Sequence, residues 1–350
     1  MEKYEPLLSV ENLQVSFQVR GRELTALRGV DLHMNAGESV AIVGESGSGK
    51  SVFTRALTGM LEDNGKITAG SIRFQGQELT ALRRERDWQS IRGGGIATVF
   101  QDPMMALNPV LTIGKQLTSA IRAHQKCTAK EARERGIEML RRVGIPNPEK
   151  RMEDYPFRYS GGMRQRVVIA IALSCQPKLL ICDEPTTALD VTLQAQILAL
   201  LQELQQELGF GILFITHDLG VVAKMAHRVA VLYAGQIVEQ GTVEEIFYDP
   251  RHPYTWALLS SLPQLAVGGE SLYAIPGTPP SLYGKLTGDA FAPRNPYRLK
   301  IDGIKEPPVF SVTPTHTAKT WLLDPRAPKT EKPEAIRELH QKLLDQIREV

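Results

Sequence analysis

Cysteine is scarce in this sequence. Cys127, Cys175 and Cys182 are the only three among 350 residues, an odd number with no metal-ligand spacing between them. That argues against a disulfide framework and a thiolate-built metal centre, and it fits a reducing cytoplasm. Long apolar runs are missing too. The longest, around Val167 to Leu173, falls well short of the roughly 20 residues a membrane-spanning helix needs. The opening Met1-Glu2-Lys3-Tyr4-Glu5 has neither the basic nor the apolar region of a secretion signal. Any link to a membrane is therefore expected to run through a partner. Charge of one sign is also lacking. Lys and Arg number 41 against 39 Asp and Glu, a net +2, which argues against a nucleic-acid binder and an acidic tail protein. What remains is an ordinary globular composition, 42% hydrophobic and 23% charged, in a chain long enough for a sizeable core.

From Leu7 to about Pro263 short apolar runs alternate with helical stretches, which predicts an α/β fold with a parallel sheet. Leu13, Val15, Phe17 and Val19 alternate as on a strand, and Ser39 to Val43 is apolar and short enough to be a buried one. Between Pro103 and Tyr159 the pattern turns helical. Thr128 and Glu131 are spaced as a capping box, Ile137, Leu140 and Val143 follow on one face, and Gly144 with Pro146 predicts the stop. Beyond Pro263 the composition shifts toward proline and glycine, as in Ile275-Pro276-Gly277-Thr278-Pro279-Pro280. That predicts an extended appendage with little regular structure. After Pro333, the residues Ile336, Leu339, Leu343, Ile347 and Val350 recur at helical spacing and predict an amphipathic helix.

The chemistry begins at Gly44-Glu45-Ser46-Gly47-Ser48-Gly49-Lys50-Ser51. An apolar strand runs into this loop and a helix, expected from Ser51 to about Leu61, leaves it. Backbone N–H groups of such a loop form an anion nest, and the helix N-terminus adds positive potential. Lys50 would reach the β- and γ-phosphates of a nucleotide, and the Ser51 hydroxyl would ligate Mg²⁺. A second acidic site must help hold the metal, and Leu179-Leu180-Ile181-Cys182-Asp183-Glu184 supplies it at a strand end. Asp183 would hold Mg²⁺ through water, because this ion keeps much of its hydration. Glu184 is placed to polarise an attacking water.

Tyr159-Ser160-Gly161-Gly162-Met163-Arg164-Gln165-Arg166 is a glycine-containing turn opening a helix, a second phosphate-binding end. One chain does not need two such ends for one γ-phosphate. Two chains facing head to tail do. Three further elements stand in order: Gln101 after Val99-Phe100, Ala188-Leu189-Asp190 after the carboxylate pair, and Ile212-Leu213-Phe214-Ile215-Thr216 running into His217. Over about residues 7 to 263 this set resembles the ATP-binding-cassette (ABC) family.

The resemblance implies a P-loop NTPase over 1–263, with a RecA-like core, a β subdomain and a helical subdomain at about 103–165. The remainder, 264–350, would be a C-terminal extension. It implies that Gln101 contacts Mg²⁺ or the water and senses a permease. Ser160, Gly161 and Gly162 would bind the γ-phosphate held by the opposite subunit, and Asp190 would couple the two sites. His217 would contact the γ-phosphate and keep Glu184 in place. Phe17 stands where relatives carry an aromatic, often Tyr, that stacks on adenine.

Phe100-Gln101-Asp102-Pro103-Met104-Met105-Ala106-Leu107-Asn108-Pro109, His252-Pro253-Tyr254-Thr255 and Ile275-Pro276-Gly277-Thr278-Pro279-Pro280-Ser281-Leu282 resemble the peptide and nickel importer group. Within it the likeness is to the D-type ATPases of oligopeptide permeases. This implies peptide import at the cytoplasmic face of the cell membrane, with a second related ATPase, two permease subunits and an extracellular peptide-binding protein. Nickel, dipeptide or glutathione import is the alternative, and an exporter motor a lesser one. Many relatives hold an iron–sulfur cluster through four tail cysteines beginning G-C-x-F-x-P-R-C. Here the segment reads Gly288-Asp289-Ala290-Phe291-Ala292-Pro293-Arg294-Asn295, and the third and fourth positions fall on Asp302 and near Thr320. With no thiolate in the tail, no cluster is expected. Cassette proteins of DNA repair insert long coiled coils between P-loop and signature, and translation factors carry two cassettes. This chain has about a hundred residues between Lys50 and Ser160, and one cassette.

Overall fold

The chain begins with its two longest strands. β1 (Leu8–Val19) and β2 (Arg22–Met34) pair antiparallel. Arg20 and Gly21 between them both take positive φ, 50° and 75°, the primed-turn geometry that follows strand twist. Leu13 and Val15 are fully buried, while Phe17 and Val19 are half-buried toward the tip. The protein is seen in a computed structural model that describes residues 5–186, 190–261 and 274–337.

All five residues of β3 (Ser39–Val43) are buried, as their sequence predicts. α1 (Lys50–Thr58) follows and ends earlier than its apolar pattern suggests, because Gly59 caps it at φ 62°. β4 (Gly65–Phe74) and β5 (Gln77–Glu78) complete a four-stranded antiparallel sheet, in the order β2-β1-β4-β5. α2 (Glu85–Gln89) and β6 (Ile96–Val99) lead into a helical segment of α3 (Pro103–Ala106), α4 (Ile113–His124), α5 (Ala129–Arg142), α6 (Pro148–Arg151) and α7 (Gly161–Ser174). The capping box of α5 is present in both directions: Glu131 Oε2 accepts from the Thr128 N–H at 2.7 Å, and Thr128 Oγ1 from the Glu131 N–H at 3.2 Å. Leu140 and Val143 are buried, and Gly144, at φ 75°, follows the helix end.

β7 (Leu179–Asp183), α8 (Val191–Leu208), β8 (Gly211–Ile215), α9 (Leu219–Met225) and β9 (Arg228–Tyr233) continue the α/β alternation. β10 (Gln236–Thr242), α10 (Val243–Tyr248) and α11 (Pro253–Ser260) follow. β9, β3, β8, β7 and β6 run parallel to one another. β3 packs both faces: Val40 and Ile42 join the core under the antiparallel sheet and α1, Ala41 and Val43 the core under the helical segment.

The described tail has little regular structure, namely β11 (Phe310–Ser311), β12 (Thr317–Ala318), short 3₁₀ turns and one helical turn at 334–337, yet it is no loose appendage. β12 pairs with β10, Ala318 opposite Glu239, so the order of the second sheet is β11-β12-β10-β9-β3-β8-β7-β6. Beside that pairing Glu239 and His316 are both fully buried, with Nε2 and Oε1 2.7 Å apart. The two Glu239 side-chain oxygens also accept from the N–H groups of Arg251 and His252 at 2.6 and 2.9 Å, the pairing that buried polar groups require. Of the helix expected after Pro333, one turn at 334–337 is described, with Ile336 buried; Leu339, Leu343, Ile347 and Val350 lie outside the described residues. Among those residues no helix is long and apolar enough to cross a membrane.

Candidate functional site

Because β3, β8 and β7 are parallel neighbours, they end side by side. Whatever follows each strand is gathered at one edge, where open α/β sheets take their ligands. The loop 44–49 follows β3, Glu184 follows β7 and His217 follows β8. A cavity of about 700 Å³ opens there, lined by Ser46, Gly47, Gly49, Lys50, Ser51, Gln101, Asp183, Glu184, His217 and Phe17.

Gly44 and Gly49 of the loop are steric necessities. A Cβ on Gly44, at φ 153°, would stand 2.1 Å from the Leu232 carbonyl oxygen on the adjacent strand. Gly49, at φ 111°, opens α1 without a side-chain cap, which leaves the first-turn N–H groups for an anion. Lys50 Nζ donates to the carbonyls of Gly44 and Glu45 at 2.7 and 2.9 Å. Burial lowers the pKa of this ammonium, against the pull of Glu184, Asp183 and Glu45. Buried Ser48 Oγ has no hydrogen-bond partner. Phe17 lies over Gly65 on β4, where a Cβ would meet its ring at 2.5 Å.

Asp183 is the last residue of β7. Burial raises the pKa of its carboxyl, neighbouring Glu184 adds to the rise, and Lys50 and Arg55 oppose it. Together with the Ser51 hydroxyl and the Gln101 amide, it offers hard oxygen donors to one cavity. Glu184 has left the strand conformation: its φ is 48°, and its N–H donates to Ile215 O at 2.8 Å. Left-handed backbone at a non-glycine residue is uncommon and costs of order 1 kcal/mol or more. Nothing in the sequence announced it. It leaves Glu184 Oε1 3.0 Å from His217 Nδ1, a polar pair at the cavity wall.

The cavity does not include Ser160, Gly161, Gly162 or Asp190. Ser160 caps α7, accepting from the Met163 N–H at 3.3 Å, and Asp190 caps α8, accepting from the Leu193 N–H at 2.9 Å. A Cβ on Gly162 would stand 3.1 Å from the Leu193 side chain, so the two helix starts abut. Ser160, Gly161 and Asp190 are exposed, and apart from its chain neighbours and its own helix backbone nothing lies within 4 Å of where a Gly161 Cβ would be. The signature turn and Asp190 thus form a separate surface with room for another molecule.

Sequence reasoning missed the contribution of the tail. Ser281, Leu282 and Tyr283 line the cavity beside Leu24 and Ala26 of β2. The Glu45 side chain pairs with Arg294: the guanidinium donates to its two carboxylate oxygens at 2.6 and 2.9 Å. Arg294 donates as well to Tyr233 Oη at 3.2 Å and Pro276 O at 2.8 Å, while the Glu45 N–H donates to Tyr254 Oη at 2.8 Å. Tyr254 stands in a segment that marked the subgroup and Arg294 in the segment compared with the cluster motif, but a partner hundreds of residues away leaves no local signal.

At the four tail positions discussed for a cluster, buried oxygens take backbone N–H groups. Asp289 accepts from Phe291 at 2.9 Å, Asn295 from Tyr297 at 2.9 Å, Asp302 from Leu299 at 2.5 Å and Thr320 from Leu322 at 3.3 Å. Burial pushes the Asp289 carboxyl up to about 6. No group of three or more His, Cys, Asp and Glu among the described residues is arranged to hold a metal ion.

Comparison with known proteins agrees with this geometry. Residues 27–187 match the ABC transporter family, and residues 238–301 match the oligopeptide/dipeptide transporter C-terminal region. The oligopeptide transport ATP-binding protein AmiE of Streptococcus pneumoniae is 61% identical, covering 97% of this chain and 96% of its own length. The oligopeptide transport ATP-binding protein OppD of Bacillus subtilis is 56% identical, over 97% and 95%. Among solved structures, the dimeric ATP-binding cassette MJ0796, in a post-hydrolysis state bound to ADP and Pi, is 28% identical with a TM-score of 0.60. It covers 67% of this chain and 98% of its own. With the nucleotide-type loop, the acidic strand end and the Glu184–His217 pair at one sheet edge, and relatives matching from end to end, the chain belongs to the ABC transporter family and is an ATP-hydrolysing subunit of its oligopeptide and dipeptide transport group.

Proposed function

We propose that this chain is one of two different motor subunits of an importer for short peptides, working in a nucleotide site shared between two ATPases. The observation that carries the reading is the split geometry. Lys50, Ser51, Gln101, Asp183, Glu184 and His217 converge on one cavity, while Ser160, Gly161 and Asp190 are exposed on another surface, with Gly162 buried beneath them against Leu193. A second ATPase facing this one head to tail would complete each site with the other's signature turn, in keeping with a solved relative that is a dimer. In this reading the chain divides into a 1–263 ATPase unit, with its helical part at about 103–165, and a 264–350 extension.

In this reading Phe17 stacks on the base, and the N–H groups of 44–51 with the Lys50 ammonium neutralise the phosphates. Glu184 accepts the proton of the attacking water, and His217 holds that carboxylate and reaches the γ-phosphate. The donor set of Ser51, Gln101 and Asp183 fits Mg²⁺, with Asp183 bonding through water. Bound Mg²⁺ would neutralise charge on the β- and γ-phosphates. The partners are a second related ATPase, two permease subunits that hold the pair at the cytoplasmic face, and an extracellular peptide-binding protein. The names of AmiE and OppD favour oligopeptides as cargo; the C-terminal family description leaves dipeptides as a second reading.

The test is ATPase rate against protein concentration. Alone, the chain should bind Mg-ATP and hydrolyse it slowly, because stabilisation of the γ-phosphate is incomplete. Adding the related ATPase and permease should raise the rate, and Ser160→Arg should impair the site whose P-loop belongs to the partner. A fast, concentration-independent rate from a demonstrated monomer overturns the shared site.

A further inference from the structure

The tail reaches the base side of the nucleotide cavity through the strands themselves. On the hairpin, Phe17 of β1 sits directly opposite Leu24 of β2. Leu24 in turn makes an antiparallel bridge to Tyr283, and the Thr25 N–H donates to Leu282 O at 3.1 Å. Residues directly opposite one another in adjacent strands project to the same face of a sheet. Phe17, Leu24 and Tyr283 are therefore three consecutive positions of one row, and all three line the cavity that holds Lys50 and Ser51.

Tyr283 is held there. The Arg22 guanidinium lies 4.9 Å from its ring centroid, a cation–π contact from the tip of the same hairpin. Its chain is also anchored at the loop, since Arg294 forks Glu45 and donates to Pro276 and Ile275 upstream of the bridge. Leu282 further packs beside the outer side of the loop, in a small cleft with Glu45, Ser46, Gly47 and Ser48. Tyr283 as a residue is 36% exposed, so it retains a surface to offer.

We propose that Tyr283 is a nucleotide-contacting residue, a second aromatic wall that meets the base or ribose of ATP in the same chain, placed by docking of the C-terminal extension onto β2. It rests on the reading above that this cavity takes ATP with its base toward Phe17. The extension then contributes directly to nucleotide affinity, and its segment 281–283 acts on the base end while the P-loop acts on the phosphates.

That division supplies the test. Binding of ATP and of inorganic tripolyphosphate, each with magnesium, is measured by titration calorimetry on the full chain. Tyr283→Ala should weaken ATP about 5- to 20-fold, the lower part of what base–aromatic stacking contributes, because Phe17 still supplies one wall. Tripolyphosphate should bind Tyr283→Ala and wild type alike, and Tyr283→Phe should bind ATP as wild type does. Unchanged ATP affinity in Tyr283→Ala, with wild type binding normally, overturns the inference alone. Equal weakening of both ligands also overturns it, since Tyr283 would then act through the loop. Wild type that binds tripolyphosphate no more weakly than ATP would remove the base contact itself and, with it, the assignment of Phe17.

Discussion

Cutting the tie between the tail and the P-loop should cost measurable stability. Arg294→Ala removes the two bonds to Glu45 at 2.6 and 2.9 Å, the bond to Tyr233 at 3.2 Å and the bond to Pro276 O at 2.8 Å. The guanidinium it deletes has a side chain only 4% exposed, against 25% for Glu45. Removing one partner of a buried pair typically costs about 3–5 kcal/mol, because the other charge is left without compensation. Glu45 can recover some hydration through its exposed quarter, so the lower end, about 3 kcal/mol, applies. Unfolding entropy near 2.1 cal/mol/K per residue over the whole chain converts that into a melting shift of about 4 °C. Arg294→Lys keeps the charge but cannot fork a carboxylate, and should fall between. Differential scanning calorimetry of Arg294→Ala, Glu45→Gln and the double variant forms a cycle. The double variant should lose clearly less than the sum, as expected for side chains in contact. Additive losses, or an Arg294→Ala chain melting within about 1 °C of wild type, would refute the tie.

Glu184→Gln should keep ATP binding, lose roughly 10² to 10⁴ in hydrolysis rate and accumulate an ATP-bound closed dimer; near-normal turnover in the assembled complex rules out the role. Asp289 gives a pH signature. Its carboxyl, ordinarily at 3.8, is pushed up to about 6 by burial, so between those values the folded chain holds a proton that the unfolded chain has lost. Stability therefore falls as pH rises through that window, by about 3 kcal/mol in all. Asp289→Asn, which keeps an acceptor for the Phe291 N–H, should melt above wild type at about pH 7.5 and level with it below about pH 4; the same offset at both would show that Asp289 does not titrate this way. Finally, protein purified without oxygen should be colourless, as expected of a tail with no thiolate; a visible band with matching iron and sulfide would contradict this.

Much of the site was legible in the sequence because its residues act in short, local units. The loop 44–51 needs glycines where the backbone turns, a lysine and a hydroxyl at the helix start, and an apolar strand before it; all are neighbours in the chain. Asp183-Glu184 and His217 were readable for the same reason, each following a short buried strand. Thr128 with Glu131 announced its own helix, since a capping box closes within one turn.

What chain order cannot express is which strands become neighbours. Only the parallel pairing β3-β8-β7 brings Lys50, Asp183 and His217 to one edge, and only the docking of the tail on the ATPase core carries Tyr283 to the cavity and Arg294 to Glu45 of its loop. The left-handed turn at Glu184 arises where its N–H bonds to Ile215 on the next strand, a tertiary constraint on a residue type that does not favour that conformation. For the described part of the tail the proline-rich composition predicted the scarcity of regular structure, but not that Arg294 and the backbone of 282 and 317–318 would be satisfied by the ATPase core. The sequence by itself determined the family and pointed to the candidate catalytic parts, because phosphate and water chemistry require particular side chains at short spacings. The tertiary structure decided which parts share a cavity and which face outward, because burial and strand pairing act between residues that the chain keeps far apart.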